Sequence, residues 1–482
     1  MSTSQHGSPL SEKPIQWVSM WQGHQTVQPR WIWGSWTARR WLMVLLTQAL
    51  FYGLPWLHYN DRPLVLFDLL ERRFYLLAWV FYPQDLIYLT VLLVVCALAL
   101  FLFTTVAGRV WCGFACPQTV YSEIFMGIER LFEGDRSSRL KIDADPWHFP
   151  GVFRRLGKHG VWLLIAAWTG FSFVGYFTPI DALGQSLLQA KASGWETFWV
   201  GFYGLATYGN AGFMREQLCK YLCPYARFQG AMFDTDSLIV SYDAARGEPR
   251  GTRGRKDDFF AQGLGACVDC GLCVQVCPTG IDIRKGLQYE CISCAACIDA
   301  CNLMMDKMRY PRGLVKFTSE RAQARGWGSG KIWLSLTRPR VLLYSLLLWL
   351  LMAGTTLALV MRPDFRADIV RDRAALYRIN EQGRVENVYR LQLMNNSEHR
   401  LQLALNIEGL PGGVLAESSV YVLPAAKTQW VVVHASAAED LAAGTHGFDF
   451  VITARRLPIQ GQSTEAGVAE TRREKTVFIQ PR

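Results

Sequence analysis

The fold is decided by residues 267–301, which read CVDCGLCVQVCPTGIDIRKGLQYECISCAACIDAC. Eight cysteines in this stretch form two runs with the spacing C-x2-C-x2-C-x3-C. Bacterial ferredoxins that hold two 4Fe-4S clusters use this spacing, and the fourth cysteine of each run binds the other cluster. We therefore predict a two-cluster ferredoxin-like domain inserted into this chain.

The crossed pattern assigns a separate set of cysteines to each predicted 4Fe-4S cluster. One cluster is expected on Cys267, Cys270, Cys273 and Cys301, and the other on Cys291, Cys294, Cys297 and Cys277. Zinc is the alternative metal, but zinc sites favour paired C-x2-C spacing. The two longer runs therefore favour iron–sulfur clusters over zinc.

The rest of the composition indicates a membrane protein with water-facing parts. All 13 cysteines lie between Cys96 and Cys301, which indicates metal ligands kept reduced in the cytoplasm and not a disulfide framework. Half of the residues are hydrophobic, which is high for a soluble protein. The net charge of +10 is then better explained by basic residues beside membrane spans than by nucleic-acid binding.

Apolar stretches on both sides of the cysteine-rich insert are long enough to cross a bilayer, which takes ~20 residues. They are 41–59, 86–107, 160–180, 195–214 and 341–361. A shorter apolar stretch, 74–82, is expected to lie at the membrane interface. Residues 1–38 contain no apolar core, so we expect no cleavable signal peptide.

Lysine and arginine residues set the predicted orientation in a bacterial inner membrane. They concentrate in the loop 108–159, whereas the loop after the third predicted span holds only Lys191. Because basic loops stay on the cytoplasmic side, the N-terminus and the clusters are expected in the cytoplasm and the C-terminus in the periplasm. The predicted order is an N-terminal segment 1–40, a four-span region 41–214, the ferredoxin-like domain 215–340, a fifth helix 341–361 and an exported domain 362–482.

The exported domain shows the period of β-strands. Apolar and polar side chains alternate in 389–393 and in 401–407, and Pro411-Gly412-Gly413 is a turn signal. Several short strands at such spacing are typical of an immunoglobulin-like sandwich. The whole chain is therefore predicted to be multi-domain, with an α-helical membrane bundle of five spans, the ferredoxin-like insert and a C-terminal all-β immunoglobulin-like domain.

Two further cysteine pairs repeat one motif at the cytoplasmic ends of predicted spans. They are Cys112-x3-Cys116-Pro117 and Cys219-x3-Cys223-Pro224, 107 residues apart. On a helix this spacing would place both sulfurs of a pair on one face, and the prolines would end or kink the helix. Soft thiolates suit Cu(I) or a redox dithiol. The alternative is that these cysteines only pack the helix ends.

An arginine precedes each pair, Arg109 before the first and Arg215 before the second. A neighbouring guanidinium stabilises a thiolate. We therefore expect both arginines to lower the pKa of the motif cysteines and to aid metal capture at neutral pH.

Taken together, the five spans, the twin pairs, the eight-cysteine insert and the exported domain resemble the FixG/CcoG/RdxA family, most specifically in residues 108–117, GRVWCGFACP. The resemblance implies an accessory role in assembling a cbb(3)-type cytochrome c oxidase, with reduction of Cu(II) to Cu(I) for its copper centre. Its motif cysteines, implied to be the catalytic and copper-handling residues, correspond to Cys112, Cys116, Cys219 and Cys223. The implied partners are membrane lipid, copper, copper chaperones or oxidase assembly factors, and an electron donor that the sequence does not name.

Two other functions stay open at this point. Membrane subunits of nitrate and nitrous-oxide respiration share such cysteine pairs beside ferredoxin inserts, so the chain could be a quinol dehydrogenase-like electron-transfer subunit. It could also be a non-enzymatic assembly scaffold or copper chaperone with structural clusters. Quinol oxidation by the purified protein distinguishes the first alternative, and sustained turnover distinguishes the second.

Overall fold

The computed structural model describes residues 27–481, except for 60–61, 78, 146, 148, 256, 258–262, 328–336, 373–375, 381, 398, 417–418, 439 and 458–469. Residues 1–26 of the predicted N-terminal segment 1–40 therefore lie outside the described residues.

Helices form most of the chain before the C-terminal domain. Their bounds are α1 Ser35–Gly53, α2 Leu86–Ala107, α3 Val110–Phe114, α4 Pro117–Glu133, α5 Arg136–Ala144, α6 Phe149–Val174, α7 Ile180–Leu188, α8 Gly194–Gly209, α9 Arg215–Gln217, α10 Pro224–Met232, α11 Ala244–Gly247, α12 Leu272–Gln275, α13 Ala296–Met308, α14 Glu320–Ala324 and α15 Pro339–Val360. The five predicted spans overlap α1, α2, α6, α8 and α15.

Among the described residues, two helices are long and apolar enough to cross a membrane, Pro83–Ala107 and Pro339–Val360. The other candidates are limited by charge or by length. Helix α1 includes Arg39 and Arg40, α6 includes Arg154, Arg155 and Lys158, and α8 ends at Gly209 after 16 residues. The bundle of five spans therefore stays a prediction beyond these two helices.

Helices α6 and α8 pack closely because glycines face the partner backbone. Gly170 leaves no room for a Cβ atom beside the Val200 carbonyl oxygen, and a Cβ at Gly204 would lie 3.2 Å from the Ala166 carbonyl oxygen. Small residues allow this close backbone approach between helices. On the side of the cysteine motifs, the buried rings of Trp162 and Phe125 stack with their centroids 5.0 Å apart and join α6 to α4.

The segment between α1 and α2 is a small β-structure. Its strands are β1 His58–Tyr59, β2 Arg62–Pro63, β3 Val65–Asp68, β4 Arg73–Leu76 and β5 Trp79–Phe81, and β3, β4 and β5 form one antiparallel sheet. The stretch 74–82 therefore forms two paired strands, β4 and β5, and its position at the membrane interface stays a prediction. Strand pairing satisfies its backbone groups, and Val80 and Tyr82 pack on Ala426 of the C-terminal domain.

The ferredoxin-like insert pairs strand β6 Ile239–Tyr242 with β7 Val315–Thr318 around a core that includes Met305. Its helix α13 also holds the start of α1. The Asp299 carboxylate accepts the backbone N–H of Trp36 at 3.2 Å and that of Thr37 at 2.8 Å. A carboxylate at a helix N-terminus satisfies free N–H donors and the helix dipole, so this contact fixes the insert on the first helix.

The C-terminal domain is a sandwich of two antiparallel sheets. Its strands are β8 Phe365–Arg371, β9 Arg378–Ile379, β10 Val385–Asn395, β11 Leu401–Glu408, β12 Val414–Leu415, β13 Val420–Leu423, β14 Thr428–Ser436, β15 Gly444–Arg456 and β16 Glu470–Gln480. One sheet has the order β12-β14-β10-β8, with β9 on β10, and the other has the order β13-β11-β15-β16. The predicted all-β sandwich is confirmed.

A buried ion pair anchors this domain to the start of α2. Asp85 is paired with Arg362 and, at 3.1 Å, with Arg366. The Tyr82 hydroxyl adds a hydrogen bond of 3.0 Å to the Asn395 carbonyl oxygen.

Candidate metal centre

Two cavities in the ferredoxin-like domain are each lined by one of the predicted ligand sets. One cavity is lined by Cys267, Cys270, Cys273 and Cys301, and the other is lined by Cys277, Cys291, Cys294 and Cys297. Four sulfurs around one space are the donor set that a 4Fe-4S cluster needs. Cys273 lines the second cavity as well, so the two sites are neighbours.

The backbone of both ligand loops bends in the same way. Asp269 and Gly271 in the first run, and Ser293 and Ala295 in the second, all have positive φ between 52° and 65°. Three of these four residues are not glycine, and such residues rarely adopt this conformation. Each loop is followed at once by a helix, α12 or α13, so the repeated turns wrap each run around its cavity.

Burial raises the pKa of the thiols that are predicted to bind the clusters. It raises the pKa of Cys291 and of Cys301 to about 12, and that of Cys273 to about 11. These cysteines therefore keep their protons at neutral pH until iron replaces them, since only the thiolate is a metal ligand.

The twin cysteine motifs lie at breaks between helices, and the prediction of one helix face for each pair was wrong. Cys112 lies in α3, whereas Cys116 stands between α3 and α4. In the second motif, Cys219 lies in a π-helical turn, Leu218–Leu222, and Cys223 stands directly before α10.

An equivalent backbone hydrogen bond accompanies the helix break in each motif. The Cys116 N–H bonds to the Trp111 carbonyl oxygen at 3.0 Å, and the Cys223 N–H bonds to that of Leu218 at 2.8 Å. Each bond reaches five residues back along the chain, which widens the turn beyond an α-helix. The following proline then begins the next helix, where its missing N–H is not needed.

The helix that follows each motif contacts the helix that precedes the other motif, and these contacts bring the two motifs together. Gln118 Nε2 of α4 donates to the Asn210 carbonyl oxygen at 2.9 Å, and the Tyr225 hydroxyl of α10 lies 2.6 Å from Thr104 Oγ1 of α2. Gln118 and Tyr225 stand 107 residues apart, as the motifs do. The internal repeat is therefore also a reciprocal packing arrangement in which each helix contacts the end of the other hairpin.

The net pKa shift of the motif thiols is opposite to the prediction. Burial, with a smaller contribution from the neighbouring Cys116, raises the pKa of Cys112 to about 12 and that of Cys219 to about 11. Arg109 lowers both pKa values but does not outweigh burial. Arg215 instead forms an ion pair of 3.1 Å with the buried Glu129.

The motif cysteines are neighbours but not a preformed single-ion site. Within the described residues, no three His, Cys, Asp or Glu side chains are placed to hold one metal ion.

The first motif packs directly on the ligand loop of the second cluster. A Cβ atom at Gly113 would lie 2.6 Å from the Ile292 carbonyl oxygen and 2.9 Å from the Cys294 backbone N and Cα. The corresponding residue of the second motif, Lys220, donates to the Thr279 carbonyl oxygen at 3.0 Å. Both motifs thus contact the second cluster site, whereas Cys270 of the first site is exposed.

Sequence reasoning missed a buried charged network between these elements. Arg40 of α1 bonds to Glu123 at 2.8 Å, and its charge also acts on Cys294. Although burial raises the pKa of Glu129, Arg215, Lys158 and Arg139 hold that pKa below its usual value. The available signal was Glu123 and Glu129, which stand six positions apart in one helix.

Models of known families match three parts of the chain. Residues 214–320 match a "4Fe-4S dicluster domain", and residues 89–134 match a "4Fe-4S binding domain". Residues 355–481 match an "IG-like fold at C-terminal of FixG".

Curated relatives match most of the chain. "Nitrogen fixation protein FixG" of Rhizobium meliloti is 35% identical over 82% of each chain. In Cereibacter sphaeroides, "Protein RdxA" is 38% identical over 80% of this chain and 82% of its own, and "Protein RdxB" is 35% identical over 90% and 97%. The crystal structure of a FixG-related protein from Vibrio parahaemolyticus aligns with 24% of this chain and 96% of its own, at 20% identity and a TM-score of 0.20.

Proposed function

Since this chain belongs to the FixG/RdxA family of iron–sulfur electron-transfer proteins, we propose that it reduces Cu(II) to Cu(I) at its motif cysteines for assembly of the copper centre of a cbb(3)-type cytochrome c oxidase. The observation that supports this proposal is the contact of Gly113, inside the first motif, with the Cys294 loop. Bound 4Fe-4S clusters supply single electrons, and reduction of Cu(II) to Cu(I) consumes one electron.

The motif thiols should bind the product, Cu(I), more tightly than the substrate, Cu(II). Thiolates are soft ligands that prefer Cu(I), and each tenfold preference raises the one-electron copper potential by about 59 mV. Copper captured by Cys112 and Cys219 displaces the protons that burial keeps on these thiols. The electron must come from a reduced one-electron carrier outside this chain, for which dithionite substitutes in an assay.

We propose that the chain lies in the membrane with its N-terminus inside and its C-terminus outside. The apolar surface of the helices supports this proposal. Beyond α2 and α15, helix α1 exposes Leu42, Leu45, Leu46 and Leu50, and α8 exposes Trp195, Phe198, Phe202 and Leu205. Apolar surfaces of this extent mark contact with a membrane or a partner. Together with the arginines of loop 108–159, they support five spans with the clusters in the cytoplasm.

The test is Cu(II) reduction by anaerobically purified, dithionite-reduced protein, followed with a Cu(I)-specific dye. Replacing both motif pairs by serine should abolish reduction while the iron content and cluster absorbance stay unchanged. Cys96→Ser is the matched control, because Cys96 is exposed on α2 and belongs to neither motif. Full activity without the four motif cysteines would refute the proposal, and oxidation of a quinol analogue would favour the quinol dehydrogenase-like alternative.

A further inference from the structure

Arg109 is a buried cation between the second cluster site and both cysteine motifs. Its side chain is 4% exposed. One guanidinium nitrogen donates to the Tyr289 carbonyl oxygen, two residues before Cys291, and the other donates at 2.6 Å to the Ala226 carbonyl oxygen, three residues after Cys223. A single side chain therefore joins the first motif, the cluster loop and the helix that follows the second motif.

These two bonds hold the positive charge of Arg109 in a buried position between the Cys291 loop and the helix that follows Cys223. Within the described part of the chain, its buried Nε atom has no hydrogen-bond partner.

The arginine of the second motif has a different role. Arg215 pairs with Glu129 at 3.1 Å, and its Nε donates to the Gly212 carbonyl oxygen at 2.9 Å. Arg215 is therefore held by an acidic and a carbonyl partner of its own, whereas Arg109 joins the first motif to the cluster loop and to α10.

We propose that Arg109 is a positioning residue that holds the Cys291 loop against the two cysteine motifs and, through its charge, raises the potential at which the second cluster is reduced. This inference rests on the proposed function only in one respect, namely that the raised cluster potential serves copper reduction. The fixed cation favours an added negative charge on the Cys291 side and also favours thiolates on the motif side.

The test is an EPR-monitored redox titration of both clusters in the full-length protein, with iron content measured beside it. For Arg109→Gln we expect the reduction equilibrium of the second cluster to shift at least tenfold toward the oxidised form, about 59 mV lower, with the first cluster unchanged. Arg139→Lys is the control, because Arg139 is also 4% exposed but bonds to Glu129 and the Pro29 carbonyl oxygen, away from the thiols.

Unchanged potentials in Arg109→Gln, equal shifts of both clusters, or the same shift in Arg139→Lys would overturn the inference. If Arg109→Gln does not retain iron, Arg109→Lys decides the question. An amine keeps the charge but cannot bind both carbonyl oxygens. The reduction equilibrium of the second cluster should therefore stay within tenfold of that of the unmodified protein, while its iron is lost faster to a chelator; a full tenfold shift toward the oxidised form, or unchanged iron retention, would refute the role. Copper is absent from this titration, so failure of copper reduction in the unmodified protein leaves the result interpretable.

Discussion

Replacing Gly113 by alanine tests whether contact between the first motif and the Cys294 loop holds the second cluster site together. The new Cβ atom would lie 2.6 Å from the Ile292 carbonyl oxygen and 2.9 Å from the Cys294 N and Cα atoms. All three are backbone atoms, so no side-chain rotation can relieve the overlap. Overpacking of this kind costs about 1–3 kcal/mol, and the ligand loop or the motif must move.

The assay is iron loss from the second cluster under a chelator, followed by EPR. If the strain falls on the ligand loop, 1–3 kcal/mol corresponds to a retention of the cluster that is roughly 5–150-fold weaker. We expect the first cluster to be retained normally and Cu(II) reduction to slow, because the motif is pushed away from the loop.

Gly230→Ala is the matched control, because a Cβ at Gly230 would meet no atom within 4 Å. Helix α10 should accept that alanine with a small gain in stability, up to about 1 kcal/mol. If Gly113→Ala retained both clusters as well as Gly230→Ala does, the contact between Gly113 and the Cys294 loop would have no role in holding the second cluster site.

Four further predictions concern the clusters, the motif thiols, the domain anchor and the topology. Cys277→Ser should damage the second cluster and leave about four irons per chain, and loss of the first cluster instead would show that the ligand sets are not crossed. Since burial raises the pKa of Cys112 to about 12 and that of Cys219 to about 11, Cu(I) affinity should rise with pH, by up to about tenfold per unit for each proton released; a flat profile in dye competition would contradict this. Asp85→Asn should loosen the C-terminal domain, because breaking one side of a buried ion pair costs about 3–5 kcal/mol, and limited proteolysis should then cleave this domain sooner while cluster absorbance stays unchanged. Reporter fusions after residue 320 and after residue 400 should report opposite sides of the membrane, and the same side for both would refute the N-in, C-out topology.

Ligand spacing predicted the cluster sites because such loops are local. Each run of cysteines bends through its own backbone, as the positive φ angles of Asp269 and Ser293 show, and only Cys277 and Cys301 must cross to the other site. The period of two along residues 401–407 likewise predicted a strand, Leu401–Glu408, because alternating burial is a property of the strand itself.

The failures concern properties that depend on packing. A spacing of four residues fits an α-helix, and only the bond from the Cys116 N–H to Trp111 shows that the helix ends there. The net pKa shift of Cys112 was predicted with the wrong sign because an arginine is visible in the sequence and burial is not. The stretch 74–82 was too short for a span, but its sequence did not show that strands of the same segment would pair with it.

The duplication of the cysteine motif is explained by what the two copies contact. Gly113 and Lys220 occupy equivalent positions, yet one approaches the backbone of Cys294 and the other bonds to Thr279, two residues after Cys277. These contacts lie on opposite members of one ligand set, because Cys294 comes from the second run and Cys277 from the first. The two hairpins therefore contact the second cluster site through both cysteine runs. One position is a glycine and the other a lysine because the first lies against backbone atoms and the second bonds to a carbonyl oxygen. A single hairpin would contact only one run, so contact with both runs needs both copies of the motif.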